Sequence, residues 1–170
     1  MKNTNIISSN FNNHYDYWVF DLDNTIYDFN LGLFRRISQR MTEYIKDFFQ
    51  LNHSEALNLQ KSMYRKYGLT LRGLMIEKEI DPEPFLEYVH DVSFDDLKTD
   101  HKLKKLLGEI KGNKLIYTNA SYKHAEKILT SMGIFEEFEM IFDIKDSNYI
   151  AKPDQSSYLM MKEKFGFDNE

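Results

Sequence analysis

The chain has 170 residues, a formal net charge of −5, 15% aromatic residues and no cysteine. These values fit one packed domain, or one domain with a modest insertion, and they argue against disorder. They exclude a disulfide framework and a cysteine-ligated zinc site, and they disfavour a nucleic-acid binder that relies on bulk attraction to phosphate.

Residues 1–14 are polar and rich in asparagine. They lack the apolar core of a secretory signal and read as a loose N-terminal extension. No stretch approaches the ~18 apolar residues of a membrane span. Together with the absence of cysteine, this sets the expectation of a cytoplasmic protein with no membrane partner.

The first element is a short apolar and aromatic run, Tyr17 to Phe20, which reads as a buried strand. It ends in Asp21-Leu22-Asp23-Asn24-Thr25, two carboxylates one residue apart. In an open α/β sheet the ligand crevice lies outside the carboxyl ends of the strands. Carboxylates there can bind a hard cation, attack an electrophile or move a proton. A calcium loop of the EF-hand type is excluded, because Ile26 stands where its glycine belongs and Gly32 where its glutamate belongs.

A long helical block follows. Phe34, Ile37, Met41, Tyr44, Ile45 and Phe48 recur at spacings that place them on one inward face. A second helix is expected from an N-cap at Ser54, with Leu57, Met63, Tyr64 and Tyr67 inward and Gly68 ending it. Residues 67–74, with two glycines, read as a turn carrying Arg72. Asp81-Pro82 opens a third helix through Val89, and Leu103, Leu106, Leu107 and Ile110 mark a fourth, closed by Gly112. No strand is expected between residues 33 and 99. The charges of the block (Arg35, Arg36, Arg40, Lys61, Arg65 and Lys66) read as solvated helix faces, and its aromatic residues as core.

A second strand at residues 114–117 ends in Thr118-Asn119, and the next helix buries Ala125, Ile128, Leu129 and Met132 before stopping at Gly133. A third strand is expected over residues 140–144. Then Lys152-Pro153-Asp154 leads into a last helix carrying Tyr158, Leu159 and Phe165, with Pro153 and Asp154 in its first turn. Strand, helical block, strand, helix, strand, helix is the order of an α/β parallel sheet with crossover helices.

Three strand-end loops thus carry a chemical set. Asp21 can attack phosphorus, and Asp23 can serve the leaving oxygen as acid and a water as base. Thr118 and Asn119, with the start of the next helix, can hold phosphoryl oxygens, and Lys152 can supply positive charge to the same group. Magnesium would offset the repulsion between Asp21 and a phosphate dianion.

These residues in this order resemble the first three motifs of the haloacid dehalogenase (HAD) superfamily. The segments 21–27, 67–74 and 85–92, and Thr118-Asn119-Ala120 with His124-Ala125, resemble its pyrimidine 5′-nucleotidase branch. The resemblance implies a Rossmann-like core over residues 15–32 and 100–170, with a helical cap over residues 33–99. It implies Asp21 as nucleophile and Asp23 as general acid and base, with Thr118, Asn119 and Lys152 on the phosphate. Mg²⁺ would be held by Asp21 and the backbone carbonyl of Asp23. The expected substrate is a small phosphomonoester, a nucleoside 5′-monophosphate, contacted from the cap by Arg72 and more weakly by His90.

The family's fourth motif, an acidic pair after a further strand, has no counterpart before Glu170. Asp143, Asp146 and Asp154 do not stand at the right place for it. The expectation is therefore a chain cut before that motif, or one with weak activity. Two other readings stay open: a HAD phosphatase for a different small phosphate such as a sugar phosphate, and a non-catalytic phosphate-binding module.

Overall fold

A computed structural model of the chain describes residues 15–167; the N-terminal segment 1–14 lies outside the described residues. Three strands, β1 (Tyr17–Phe20), β2 (Asn113–Tyr117) and β3 (Met140–Phe142), form one parallel sheet in the order β1-β2-β3. Val19 pairs with Leu115, and Ile116 with Ile141. Parallel neighbours need long crossovers. Five helices fill the first: α1 (Leu33–Phe48), α2 (His53–Tyr67), α3 (Thr70–Lys78), α4 (Pro82–His90) and α5 (His101–Glu109). The second crossover carries α6 (Tyr122–Ser131), and α7 (Gln155–Phe165) follows β3. The α/β class with a parallel sheet flanked by helices is as expected.

The apolar residues sort onto the two faces of the sheet. Ile116 and Ile141 join one large cluster that also contains Ile128 and Leu129 of α6 and Ile45, Leu74, Phe85 and Val89 of the helical block. The opposite face buries Leu115, Tyr117 and Phe142 under Met161 and Phe165 of α7. The large cluster runs without a break from the sheet into α1–α4, so the helical block is seated on the sheet by shared core rather than by surface contact.

Strand β1 departs from the fully buried strand expected. Val19 shares a face with Leu115, but α7 covers β2 and β3 only, and Val19 stays 42% exposed. In α1 the buried side chains include Leu33, Ile37 and Ile45, whereas Phe34 and Phe48 are exposed. Helix α2 starts earlier than Ser54 suggests. Asn52 accepts from the Glu55 N–H while the Glu55 carboxylate accepts from the Asn52 N–H, a reciprocal cap that a serine two residues on cannot displace. In α7, Asp154 is the N-cap rather than a first-turn residue, and Tyr158 and Leu159 are exposed while Ser157 and Met161 are buried.

The main difference lies at residues 70–78, which form α3 where a glycine turn was expected. Gly68 does end α2, in the left-handed region at φ +74°. Gly73 has another role. A Cβ on it would lie 2.7 Å from both Met63 Cβ and Tyr67 Cδ2, so α3 packs on α2 at a distance that admits no side chain. A Gly73→Ala variant must push α2 and α3 apart. Its unfolding free energy should fall by about 1–3 kcal/mol, read from the denaturant midpoint, although alanine favours the helix itself.

Candidate active site

Beyond Phe20 the chain alternates. Leu22 is fully buried, while Asp21 and Asp23 on either side of it line a cavity of about 460 Å³. The Leu22 carbonyl accepts from the Thr25 and Ile26 N–H groups, and Asn24 takes φ +58°, a backbone region that asparagine tolerates. This tight turn returns the Thr25 hydroxyl to Asp21 Oδ2 at 2.7 Å.

The neighbouring strand ends bring the other candidates to the same place. Lys152 Nζ donates to Asp21 Oδ1 at 2.6 Å and to the Tyr117 carbonyl at 2.6 Å, so the end of β2 aims the ammonium group at the carboxylate. Thr118 is buried on the cavity wall. Its Oγ1 accepts from the Ala120 N–H at 3.0 Å, which leaves the hydroxyl proton for a ligand. The Asn119 side chain, on the same cavity wall, also ties down Lys152. Its Oδ1 accepts from the Lys152 N–H at 2.8 Å and its Nδ2 donates to the Lys152 carbonyl at 3.3 Å, which holds the Lys152 backbone at two points.

The two carboxylates have unlike surroundings. The Asp21 side chain is 46% exposed, that of Asp23 only 19%. Asp23 Oδ1 accepts from the Tyr27 hydroxyl at 2.7 Å and from His124 Nε2 at 3.2 Å. Burial alone would raise the Asp23 pKa, but the bond and charge of His124 and the bond from Tyr27 outweigh it and hold the group below its ordinary value. Burial, with the adjacent Asp23 charge, drives the Tyr27 hydroxyl well above the usual tyrosine range. The His124 ring stacks on His90 at 4.3 Å, and His90 Nδ1 meets the Ser121 hydroxyl at 2.9 Å. Burial and the neighbouring His124 push His90 down to about 3, so it stays neutral.

Tyr27 and His124 were not among the residues expected to act. Tyr27 looks like the last apolar residue of a strand-end loop, and His124 lies on the buried face of α6. Only a separation of four residues in the turn, and of 101 along the chain, puts both on one carboxylate oxygen.

Helices α1, α2 and α4 close the far side of the cavity with Ile37, Met41, Phe85 and Val89, and Phe34 and Tyr64 also line it. Both are exposed and line the cavity, which corrects the reading of these two aromatic residues as core. The basic residues also divide. Lys61 and Arg65 line the cavity. Arg36 pairs with Asp96 at 2.9 Å, and Arg40 donates to the Tyr88 carbonyl at 2.6 Å, so both bind the helical block together. Arg72 is not on the cavity wall; its guanidinium donates to the Tyr149 carbonyl at 3.1 Å, in the loop before Lys152. Asp143 caps the start of α6 through the Tyr122 N–H at 2.7 Å, Asp146 pairs with Lys164 at 2.5 Å, and Asp154 caps α7, so all three have structural partners.

Residues 15–170 match the haloacid dehalogenase-like hydrolases. The chain belongs to this family. It is 30% identical over 167 residues to phosphate metabolism protein 8 of Saccharomyces cerevisiae, an alignment covering 89% of this chain and 52% of that protein. The chain thus spans about half the length of that curated relative. The orthorhombic crystal form of the Bacillus subtilis HAD-hydrolase YfnB, bound to magnesium, superposes with a TM-score of 0.50 at 15% identity, covering 92% of this chain and 75% of that one. That likeness is one of fold.

HAD hydrolases generally use magnesium. Among the described residues no three His, Cys, Asp or Glu side chains cluster so as to hold a metal. They present the half-exposed Asp21 carboxylate at the cavity, with the Asp23 carbonyl two residues on. Magnesium usually keeps several waters and takes one or two carboxylates plus substrate phosphate. An ion of that kind fits this donor set, whereas one caged by protein ligands does not. Among the described residues no helix is long and apolar enough to cross a membrane.

The buried neutral His90 makes a pH prediction. Its pKa is 6.5 when unfolded and about 3 when folded, so the unfolded state takes up the proton first as pH falls. Its contribution to stability is complete above pH 6.5 and is lost progressively down to about pH 3. In that window a His90→Gln variant should show a shallower dependence of unfolding free energy on pH, by up to about 1.4 kcal/mol per pH unit. Denaturant titrations at several pH values measure it.

Proposed function

We propose that the chain carries the phosphoryl-transfer site of a magnesium-dependent phosphomonoesterase. The observation that carries this is the 2.6 Å contact between Lys152 Nζ and Asp21 Oδ1, which joins groups 131 residues apart at the cavity floor beside Thr118. Asp21 attacks phosphorus, forming an aspartyl-phosphate as the ester P–O bond breaks. Asp23 gives its proton to the leaving oxygen, then takes one from the water that hydrolyses the intermediate. A phosphoryl dianion bound beside Asp23 opposes its ionisation, as a proton donor requires. Thr118 and Lys152 hold the phosphoryl oxygens, and Asn119 keeps Lys152 in place. Mg²⁺, held by Asp21 and the Asp23 carbonyl, supplies charge neutralisation when bound.

Helices α1–α4 act as the cap in this reading. The cavity volume is in the range usual for small-molecule sites. The largely apolar wall of Ile37, Met41, Phe85 and Val89 suits a planar base and leaves a polyol's hydroxyls without partners, which favours a nucleoside 5′-monophosphate, a pyrimidine one by resemblance, over a sugar phosphate. The polar groups of Gln60 and Ser38 on the same wall are bonded to each other, and Lys61 and Arg65 add positive charge for an anionic substrate. Arg72 joins the cap to the Lys152 loop.

A second reading has its own observation. Both Asp21 oxygens already accept hydrogen bonds, and metal ligands are few among the described residues, which suits a module that binds phosphate without turnover. One assay series separates the readings. With Mg²⁺ the chain should hydrolyse p-nitrophenyl phosphate and nucleoside 5′-monophosphates in preference to sugar phosphates. A chelator should abolish turnover, and Asp21→Asn should lower it by about a thousandfold or more. Phosphate binding by calorimetry with no Mg²⁺-dependent hydrolysis would establish the second reading instead.

A further inference from the structure

Two donors converge on one oxygen of Asp23. The Tyr27 hydroxyl and His124 Nε2 both reach Oδ1, at 2.7 and 3.2 Å. Among the described residues Oδ2 accepts no hydrogen bond from a side chain or backbone group, and the residue lines the cavity. A carboxylate with both oxygens free rotates about its last bond and presents either one. Asp23 is held by one oxygen only, which leaves the other for the cavity.

The histidine is itself held for this contact. A carboxylate has no proton to give, so His124 Nε2 must carry the hydrogen of the bond. The opposite ring nitrogen, Nδ1, is buried and has no hydrogen-bond partner among the described residues. A buried histidine with a purely structural role would ordinarily satisfy both nitrogens. Here the ring orientation is set by stacking on His90 at 4.3 Å with the planes 20° apart, and His90 is in turn fixed by the Ser121 hydroxyl. Tyr27 is buried in the core around the same turn, so its hydroxyl position is also fixed.

We propose that Tyr27 and His124 are positioning residues that clamp Asp23 by Oδ1 and so make Oδ2 the oxygen that protonates the departing group; this rests on the phosphomonoesterase reading above. The step balances simply. The Asp21–phosphorus bond forms, the bond from phosphorus to the ester oxygen breaks, and the proton on Asp23 Oδ2 passes to that oxygen, which leaves as an alcohol.

The leaving group provides the test. An alkyl ester needs the proton, because an alkoxide is a poor leaving group, whereas p-nitrophenolate departs without one. The ratio kcat/KM reports steps up to the first irreversible one, so the later hydrolysis of the aspartyl-phosphate does not enter. Tyr27→Phe and His124→Leu should each lower kcat/KM for a nucleoside 5′-monophosphate by about tenfold or more, while that for p-nitrophenyl phosphate changes by less than about threefold. His124→Gln, which can return a donor near the Nε2 position, should recover part of the loss. Thermal unfolding of each variant is measured alongside; if His124→Leu does not fold, Tyr27→Phe, which removes one oxygen atom, carries the test. Equal losses on both substrates would overturn the clamp and leave the phosphatase reading standing. A wild-type chain that hydrolyses neither ester with Mg²⁺ would remove both.

Discussion

The parallel register of β1, β2 and β3 is the constraint on which the rest depends. Val19 lies beside Leu115 and Tyr117 beside Phe142, so all three strands run the same way and end at the same edge. Parallel strands cannot be joined by tight turns, so each strand must give way to a crossover, and the loops that begin those crossovers collect at one edge. Asp21, Thr118 and the segment leading to Lys152 are those loops. What brings a carboxylate within 2.6 Å of an ammonium 131 residues away is the pairing of backbones, secured by burying Leu115, Ile116 and Tyr117 on both faces of the central strand.

The helical block is tied to that edge in two ways. Its apolar face shares one core with the sheet, which seats α1 and α4 over the cavity. Its polar groups reach the loop that carries Lys152. Arg72 holds the Tyr149 carbonyl, and Glu83 of α4 accepts from the Tyr149 hydroxyl at 3.0 Å and pairs with Lys145. Tyr149 is thus gripped at both ends by the block, three residues before Lys152. Burial with the adjacent Glu83 charge raises the Tyr149 pKa to about 12, so that hydroxyl keeps its proton and its bond.

Electrostatics separates the two aspartates as firmly as geometry does. Asp21 is half in solvent and faces a cation; Asp23 is mostly buried, and the Tyr27 hydroxyl and His124 hold its charge in place. Burying a carboxylate is costly unless it is bonded. The Tyr27 and His124 contacts offset that cost, and they leave the two carboxylates with unlike partners and unlike exposure. In the proposed reaction these chemically identical side chains take different roles, in keeping with those surroundings.

Much of this was legible in the chain. The strand ending at Phe20, the pair of carboxylates that follows it, the strand-free block and the ordered appearance of Thr118 and Lys152 all follow from local periodicity and from residue types that suit strand ends. Helix ends were less legible where two signals competed, as at Asn52 and Ser54, or where a glycine served packing, as Gly73 does between α2 and α3. The faces of Phe34 and Tyr64 were misread because periodicity tells which residues share a side of a helix but not whether that side meets core or cavity. The class of fold and the chemical set at the strand ends can be read from the chain alone, because those depend on neighbours a few residues apart. That Asn119 holds Lys152, that Arg72 grips a loop, and that Tyr27 and His124 converge on Asp23 emerge only from the packed fold. Each of those is a contact between side chains brought together by packing, and no local pattern encodes the distance between them.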